Sequence, residues 1–463
     1  MTLSININSG SAVNGGNVVG LMTSAGNPWS VPDALALELV NRNLATPLSW
    51  PVPFPNSASQ NVAMQSMLSK AGVPGLLQAQ KLTAVSSAIS APRVASGGGT
   101  QNYTWGHVLD AWGDFNAVQV LFSNPTGSSL TIDNCIVAAS ANATVPAQPT
   151  GAWSAATGAL TVPAGGGTAA NPGFLLTPKI PLKSIPRNDG GRYPLIYARC
   201  FFQTGNTTYV YVNGGTYLAA ANWAPYSEGH TILSASIAGD QVTTPGGWVS
   251  GGVNTNPLLT LSGFVFTYDY PMISIAGVGD SIMEGDWSTV VYDAPFGFKA
   301  VSRLNAAGKR VSWINAGMSG QLIGPINVRG KALIDAVAPS IIIISSYTIN
   351  SPVTTQADWD AQWYYVMDLA AYQVSKGGQV LIMTPWVNNG FSAPTDAIRQ
   401  IQRSRVINSG YPYADVESAT SNGAVPAQWK SGMNFDNTHP LDIGHEAIQA
   451  VVQAALLAYG MVG

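Results

Sequence analysis

The stretch "SIIIISSYTIN", Ser340 to Asn350, carries four consecutive isoleucines that run into serines, and its reading decides the fold class. A strand with one wet face alternates apolar and polar residues. A run that is apolar at every position is buried on both faces, as in a parallel sheet covered by helices. The flanking sequence repeats the arrangement: "MISIAGVGDS" (272–281), "RVSWINAGMSG" (310–320) and "QVLIMTPWVNNG" (379–390) each read as a strand entering a turn. Helical segments alternate with them. "TTQADWDAQWYYVMDLAAYQVSKGG" has Thr355 as cap and Gly377 as stop, and "PTDAIRQIQRSRVINSG" is stopped by Gly410. Residues 271–463 therefore read as an α/β domain with a parallel sheet. Ligands of such sheets bind at the carboxyl ends of the strands, where all four quoted turns lie.

Upstream the period changes. Between residues 100 and 270, "AVQVLFSN", "SLTIDNCIVAA", "PLIYARCFFQ", "TTYVYVNGG", "TILSASIAG" and "LLTLSGFVFTY" are short β-rich runs separated by Gly, Asn and Pro clusters. They predict an antiparallel, sandwich-like β domain. "GAWSAATGALTVPAGGGTAANPG" is rich in small, flexible residues and reads mostly as loop. Residues 1–99 are a mixed segment, with capped helices expected over Ser30–Ala45 and Ser57–Gly72.

Composition limits the function. Only 9% of the 463 residues are charged, against about 25% in ordinary domains, and the net charge is -3. No Lys/Arg-rich run exists to neutralise phosphates, which argues against nucleic-acid binding. A surface of hydroxyls, amides and aromatics suits an extracellular or virion protein, or one that handles carbohydrate. The start, "MTLSININSGSAVNGG", lacks the charged and apolar regions of a signal peptide. No run reaches the roughly 18 apolar residues of a membrane span. Two cysteines, Cys135 and Cys200, exclude a disulfide scaffold and a Cys-rich metal site, and their pairing is open.

The four histidines are His107, His230, His439 and His445. In "DNTHPLDIGHEAIQ", Asp436 stands three residues before His439, a spacing that lets the acid reach one ring nitrogen and leaves the other for a nucleophile. The structural alternative makes Asp436 a cap and His439 a surface residue. His445 sits inside the following helix and reads as structural. His439, His445, Asp436 and Asp442 do not match a zinc spacing, so no metal is expected. "GVGDS" lacks both the complete dinucleotide-loop pattern and the lysine of a phosphate loop, so no cofactor is expected either. Asp280 can cap a helix, while Ser281 can stand exposed at a strand-to-helix turn.

These residues together resemble the GDSL or SGNH hydrolase superfamily. Its first block is matched by Gly279-Asp280-Ser281 and its last by Asp436-x-x-His439. The resemblance implies a three-layer α/β fold and an ester hydrolase, with Ser281 as nucleophile, His439 as base and Asp436 as orienting acid. It implies Gly320 of "NAGMSG" as a backbone donor to the oxyanion, with Gly317 as competitor. The third block departs from the family's Gly-x-Asn-Asp. Asn350 is its natural donor, with Asn315, Asn388 and Asn389 as substitutes. Trp287, Trp386 and Tyr347 are candidates to line the substrate cleft. The expected substrate is an O-acetylated polysaccharide or another ester, for a secreted enzyme or one belonging to a phage tail or virion, with oligomerisation open. The competing expectation is a carbohydrate-binding or structural virion protein with a weakly active or inactive hydrolase fold.

Overall fold

A computed structural model describes residues 101–142, 149–167, 171–204, 261–288 and 295–462, together with short strands and isolated positions elsewhere. Among the described residues upstream of residue 261 the elements are strands, including β1 (Lys81–Ser86), β2 (Gln101–Asp110), β3 (Phe115–Asn124), β4 (Asn134–Ser140), β5 (Leu195–Thr204) and β6 (Ile232–Ala238). Four of them make an antiparallel sheet in the order β6, β2, β5, β4. β3 belongs to a second, nine-stranded sheet, where it pairs antiparallel with the first half of β7 (Leu261–Gly279). Alternate residues of the two sheets meet in one core. Val118, Val120 and Phe122 of β3 and Phe264 and Phe266 of β7 cluster with Val137 and Ala139 of β4 and Ile196 and Ala198 of β5. This is the period of two that the sequence shows.

Cys135 and Cys200 lie directly opposite each other on β4 and β5, both buried, with their sulfurs 3.0 Å apart. The N–H of Cys135 donates to Thr157 Oγ1 and its carbonyl accepts from Thr157 N–H, so its backbone faces away from β5. The two cysteines thus form a non-hydrogen-bonded pair, the closer kind of cross-strand neighbour.

β7 is nineteen residues long and joins the two halves. Phe264–Thr267 pair antiparallel with β1 and β3. Ile273–Gly279 pair parallel with β8 (Val311–Gly317), and Ile275–Val278 with β9 (Ile341–Ser345). The change of pattern at residue 271 therefore falls inside one continuous strand, where its partners switch from antiparallel to parallel. β10 (Gln379–Met383) and β11 (Tyr413–Ala414) complete the parallel part in the order β8, β7, β9, β10, β11. In chain order this is second, first, third, fourth, fifth, and the direction of travel reverses between β7 and β9. That point is where doubly wound sheets open a crevice.

Among the described residues the helices are α1 (Ser281–Glu284), α2 (Phe296–Ala306), α3 (Ile323–Val337), α4 (Gln356–Ser375), α5 (Ala393–Asn408), α6 (Val416–Thr420) and α7 (Asp442–Ala458). The four isoleucines of β9 alternate between two cores. Ile341 and Ile343 cluster with Val301 and Leu304 of α2 and Ile448 and Val452 of α7. Ile342 and Ile344 cluster with Ile326 and Leu333 of α3 and Leu369 and Val374 of α4. Each such side chain contributes about 1.5–3 kcal/mol by burial, which fixes the sheet as the middle of three layers. Thr355 caps α4 in a reciprocal box with Asp358.

Ser30–Pro32, expected to open a helix, instead end a strand, Pro28–Pro32, that pairs with Thr2–Ile7. Val31 precedes a proline, whose ring disfavours the helical conformation there. At its other end Ala45 begins a second strand, Ala45–Ser49, that also pairs with Thr2–Ile7, while residues 33–44 and the whole of the helix expected over Ser57–Gly72 lie outside the described residues.

Candidate active site

The first site residue is delivered by a strand end. A side chain at Gly279 would put its Cβ 2.5 Å from Ser345 Oγ and 2.8 Å from Met283 Cβ, so glycine lets β7 pass close beneath α1. Asp280 is extended and accepts a hydrogen bond from Ile282 N–H at 3.1 Å, which places Ser281 first in α1. Burial holds the Asp280 carboxyl above its ordinary range, against the Thr348 hydroxyl, the Ile282 N–H and His439.

The second and third come from the loop before α7. Asp436 Oδ1 accepts the N–H groups of Thr438 and His439, both at 2.7 Å, which folds the loop back on itself. Oδ2 lies 2.8 Å from His439 Nδ1, and His439 Nε2 lies 2.9 Å from Ser281 Oγ. An ionised carboxylate can only accept, so Nδ1 carries the proton and Nε2 is left to accept from the serine hydroxyl. Burial pushes the Asp436 carboxyl up, but the hydrogen bonds from His439 and Thr438 outweigh it and hold the group below its ordinary range.

The two candidate glycines separate. Gly317 N–H donates to Asn315 Oδ1 at 2.9 Å, and a Cβ there would lie 2.2 Å from the Glu284 backbone nitrogen. Gly317 therefore serves close packing of β8 against α1. Gly320 is exposed, has φ +74, and its N–H, like that of Ser281, makes no hydrogen bond to the described residues.

Asn350 is tied into its own loop. Its side-chain amide donates to Gln321 O at 3.3 Å and Thr348 Oγ1 at 3.1 Å, which braces the residue next to Gly320. Asn315 donates to Glu284 O. Asn388 donates to Thr438 Oγ1, and Asn389 N–H donates to Asn437 O, so this pair braces the Asp436–His439 loop.

Two expected cleft residues are corrected. Tyr347 and Trp386 are fully buried, the Tyr347 hydroxyl donates to the Trp386 carbonyl at 3.1 Å, and the Tyr347 ring packs on Trp359. They fill the core under the strand ends because burial continues past the last residue of β9. Trp287 is exposed and stacks on Phe435, which the sequence reading did not single out. The available signal was a bulky apolar residue inside the polar run "NFDNTHP". Arg329 of α3 was missed as well. Its buried guanidinium donates to Gly279 O at 3.0 Å and Ala316 O at 2.9 Å, joining the ends of β7 and β8.

His445 takes no part in this line. It is buried against Phe296, and burial lowers its pKa from 6.5 to about 4. Between those values the unfolded chain binds a proton that the folded chain refuses, so stability falls as pH drops from 6.5 to 4. The expected loss from this group is about 3 kcal/mol. Thermal melts across that window check it, and His445→Phe should flatten the slope. The depressed carboxyl of Asp436 acts in a lower window, where its contribution is lost as pH falls through its folded pKa.

No family model and no curated protein matches the chain. Solved structures do. The C-terminal part is similar to GDSL-type hydrolases. A GDSL-like lipase from Bacteroides thetaiotaomicron is 13% identical, over 40% of this chain and 87% of its own, with a TM-score of 0.32. An acetylxylan esterase from Geobacillus stearothermophilus is 15% identical, over 41% of this chain and 94% of its own, with a TM-score of 0.32. An alpha/beta hydrolase from the metagenome of Lake Arreo is 19% identical, over 41% and 95%, with a TM-score of 0.31. Among the described residues no helix is long and apolar enough to cross a membrane.

Proposed function

We propose that the chain is a serine-dependent carboxylic ester hydrolase acting on O-acetyl groups of a polysaccharide. One observation carries the reaction type: an unbroken hydrogen-bonded line from Ser281 Oγ through His439 to Asp436. His439 Nε2 takes the hydroxyl proton as Ser281 attacks the acyl carbon. The N–H groups of Ser281 and Gly320 receive the oxyanion, and Asn350 positions the Gly320 turn through Gln321. His439 then gives its proton to the leaving alcohol, and takes one from the water that releases the acid from the acyl-enzyme.

The substrate class rests on the charge-poor, hydroxyl- and amide-rich composition. In this reading the antiparallel sheets of 100–270 are a sandwich-like module that holds glycan, next to a hydrolase unit of 271–463, in an extracellular or virion-associated protein. The competing reading, a glycan-binding virion protein with an idle hydrolase fold, draws on the Asn350 amide being spent on its own loop. A serine-directed phosphonate separates them. The expected result is one adduct, on Ser281, located by peptide mass; a folded protein that takes no adduct, or takes it on another serine, overturns the hydrolase reading.

A further inference from the structure

Trp287 and Phe435 are stacked nearly parallel, with ring centroids 4.0 Å apart and planes at 10°. Both stay open to solvent, at 49% and 56% exposure. They come from the two segments that build the candidate site: Trp287 from the turn after α1, and Phe435 from the position before Asp436. The Trp287 ring lies 6.3 Å from the ring of His439. Stacking hides one face of each ring and leaves outer faces and edges in water. Exposed aromatic surface of this kind beside a reactive group marks a place where something binds.

The backbone points the same way. Trp287 has φ +68, the left-handed region that a bulky side chain rarely adopts. The turn around it is over-determined: Gly285 and Asp286 N–H both donate to Ser281 O, and the Ser288 hydroxyl donates to Gly285 O at 2.7 Å. Strain maintained by its surroundings is characteristic of ligand clamps.

The occupant follows from the neighbours of the platform. Asn434, Asn437 and Thr438 share its loop, and Asn388 and Asn389 are bonded to that loop. A flat apolar face bordered by amides and hydroxyls matches a pyranose, whose C–H face lies on a ring while its hydroxyls bond to amides. The Asn434 amide donates to Asp436 O and the Asn388 amide to Thr438 Oγ1, so the polar rim is held in place by its own bonds before a sugar arrives. We infer that Trp287 and Phe435 form a stacking platform for a pyranose ring of the acetylated polysaccharide. The inference rests on the proposed ester hydrolysis only for what happens beside the platform.

Binding and turnover test it separately. Unacetylated xylo-, gluco- and galacto-oligosaccharides are titrated calorimetrically into the full chain. At least one is expected to bind, with affinity weakened about tenfold by Trp287→Ala and by Phe435→Ala and largely kept in Phe435→Tyr. The two alanine variants lie in different loops, so a local disturbance of the α1 turn cannot account for both. The kcat/KM ratio of the acetylated oligosaccharide to p-nitrophenyl acetate should fall by a similar factor, about tenfold, through KM. Binding to none of the three sugars, an unchanged ratio, or a preference for p-nitrophenyl palmitate over the acetylated oligosaccharide overturns the platform. Sugar binding that depends on both rings, with no phosphonate adduct on Ser281, removes the esterase and leaves the platform standing.

Discussion

Replacing Ser281 by alanine is expected to lower kcat on p-nitrophenyl acetate by about four orders of magnitude or more. The hydroxyl is the only group on the hydrogen-bonded line that can attack an acyl carbon, because Asp436 is turned to His439 and Asp280 caps α1. The fold should survive, since the change removes one hydrogen bond, worth about 1 kcal/mol, and leaves Ile282 and Met283 in the core. His439→Ala should cost a similar factor, and the double variant little more than either alone, because residues that act as one unit are not additive. Steady-state rates on the three variants, with thermal melts beside them, are the measurement. A loss below tenfold in Ser281→Ala would mean that the observed turnover arises elsewhere.

What could be read from the sequence was what local spacing dictates. Four isoleucines in a row admit few placements other than a doubly covered strand, and their split between two cores follows from the alternation of side chains. The three-residue step from Asp436 to His439 lets the acid reach the ring, with a cap and a surface histidine as the alternative that spacing alone leaves open. Ser281 was legible through Gly279 and Asp280, which stop the strand and start the helix.

What could not be read depends on partners far along the chain. Gly317 and Gly320 look alike in sequence and part company only because α1 lies against Gly317. Tyr347 and Trp386 follow strand ends, where an aromatic serves a rim or a core equally well, and the approach of Trp359 from α4 decides for the core. The pairing of Trp287 with Phe435 joins segments that share no local signal. Arg329 is the same case, a cation whose acceptors are carbonyls on two strands. Where the family has its Gly-x-Asn-Asp block, Asn350 ties down the residue next to Gly320, so in the proposed mechanism the Gly320 donor would depend on a brace rather than on a side-chain amide.

Asp436→Asn should be nearly as damaging as the loss of the nucleophile, by about 10³ to 10⁴ in kcat, although it changes one atom. The reason is orientation. Oδ1 faces two backbone donors, the N–H groups of Thr438 and His439, and only the oxygen of an asparagine amide can occupy that place. Its NH2 group is then forced to the position of Oδ2, where it donates to His439 Nδ1. The ring proton moves to Nε2, facing the Ser281 hydroxyl, and the base can no longer accept from it. The loop keeps its shape, so KM and the melting temperature should change little while kcat collapses. Asp436→Ala leaves the ring free to take either tautomer and should be less damaging than the asparagine variant. If asparagine keeps activity within tenfold of wild type, the proton on His439 is not controlled by Asp436 and the assignment of the orienting acid fails.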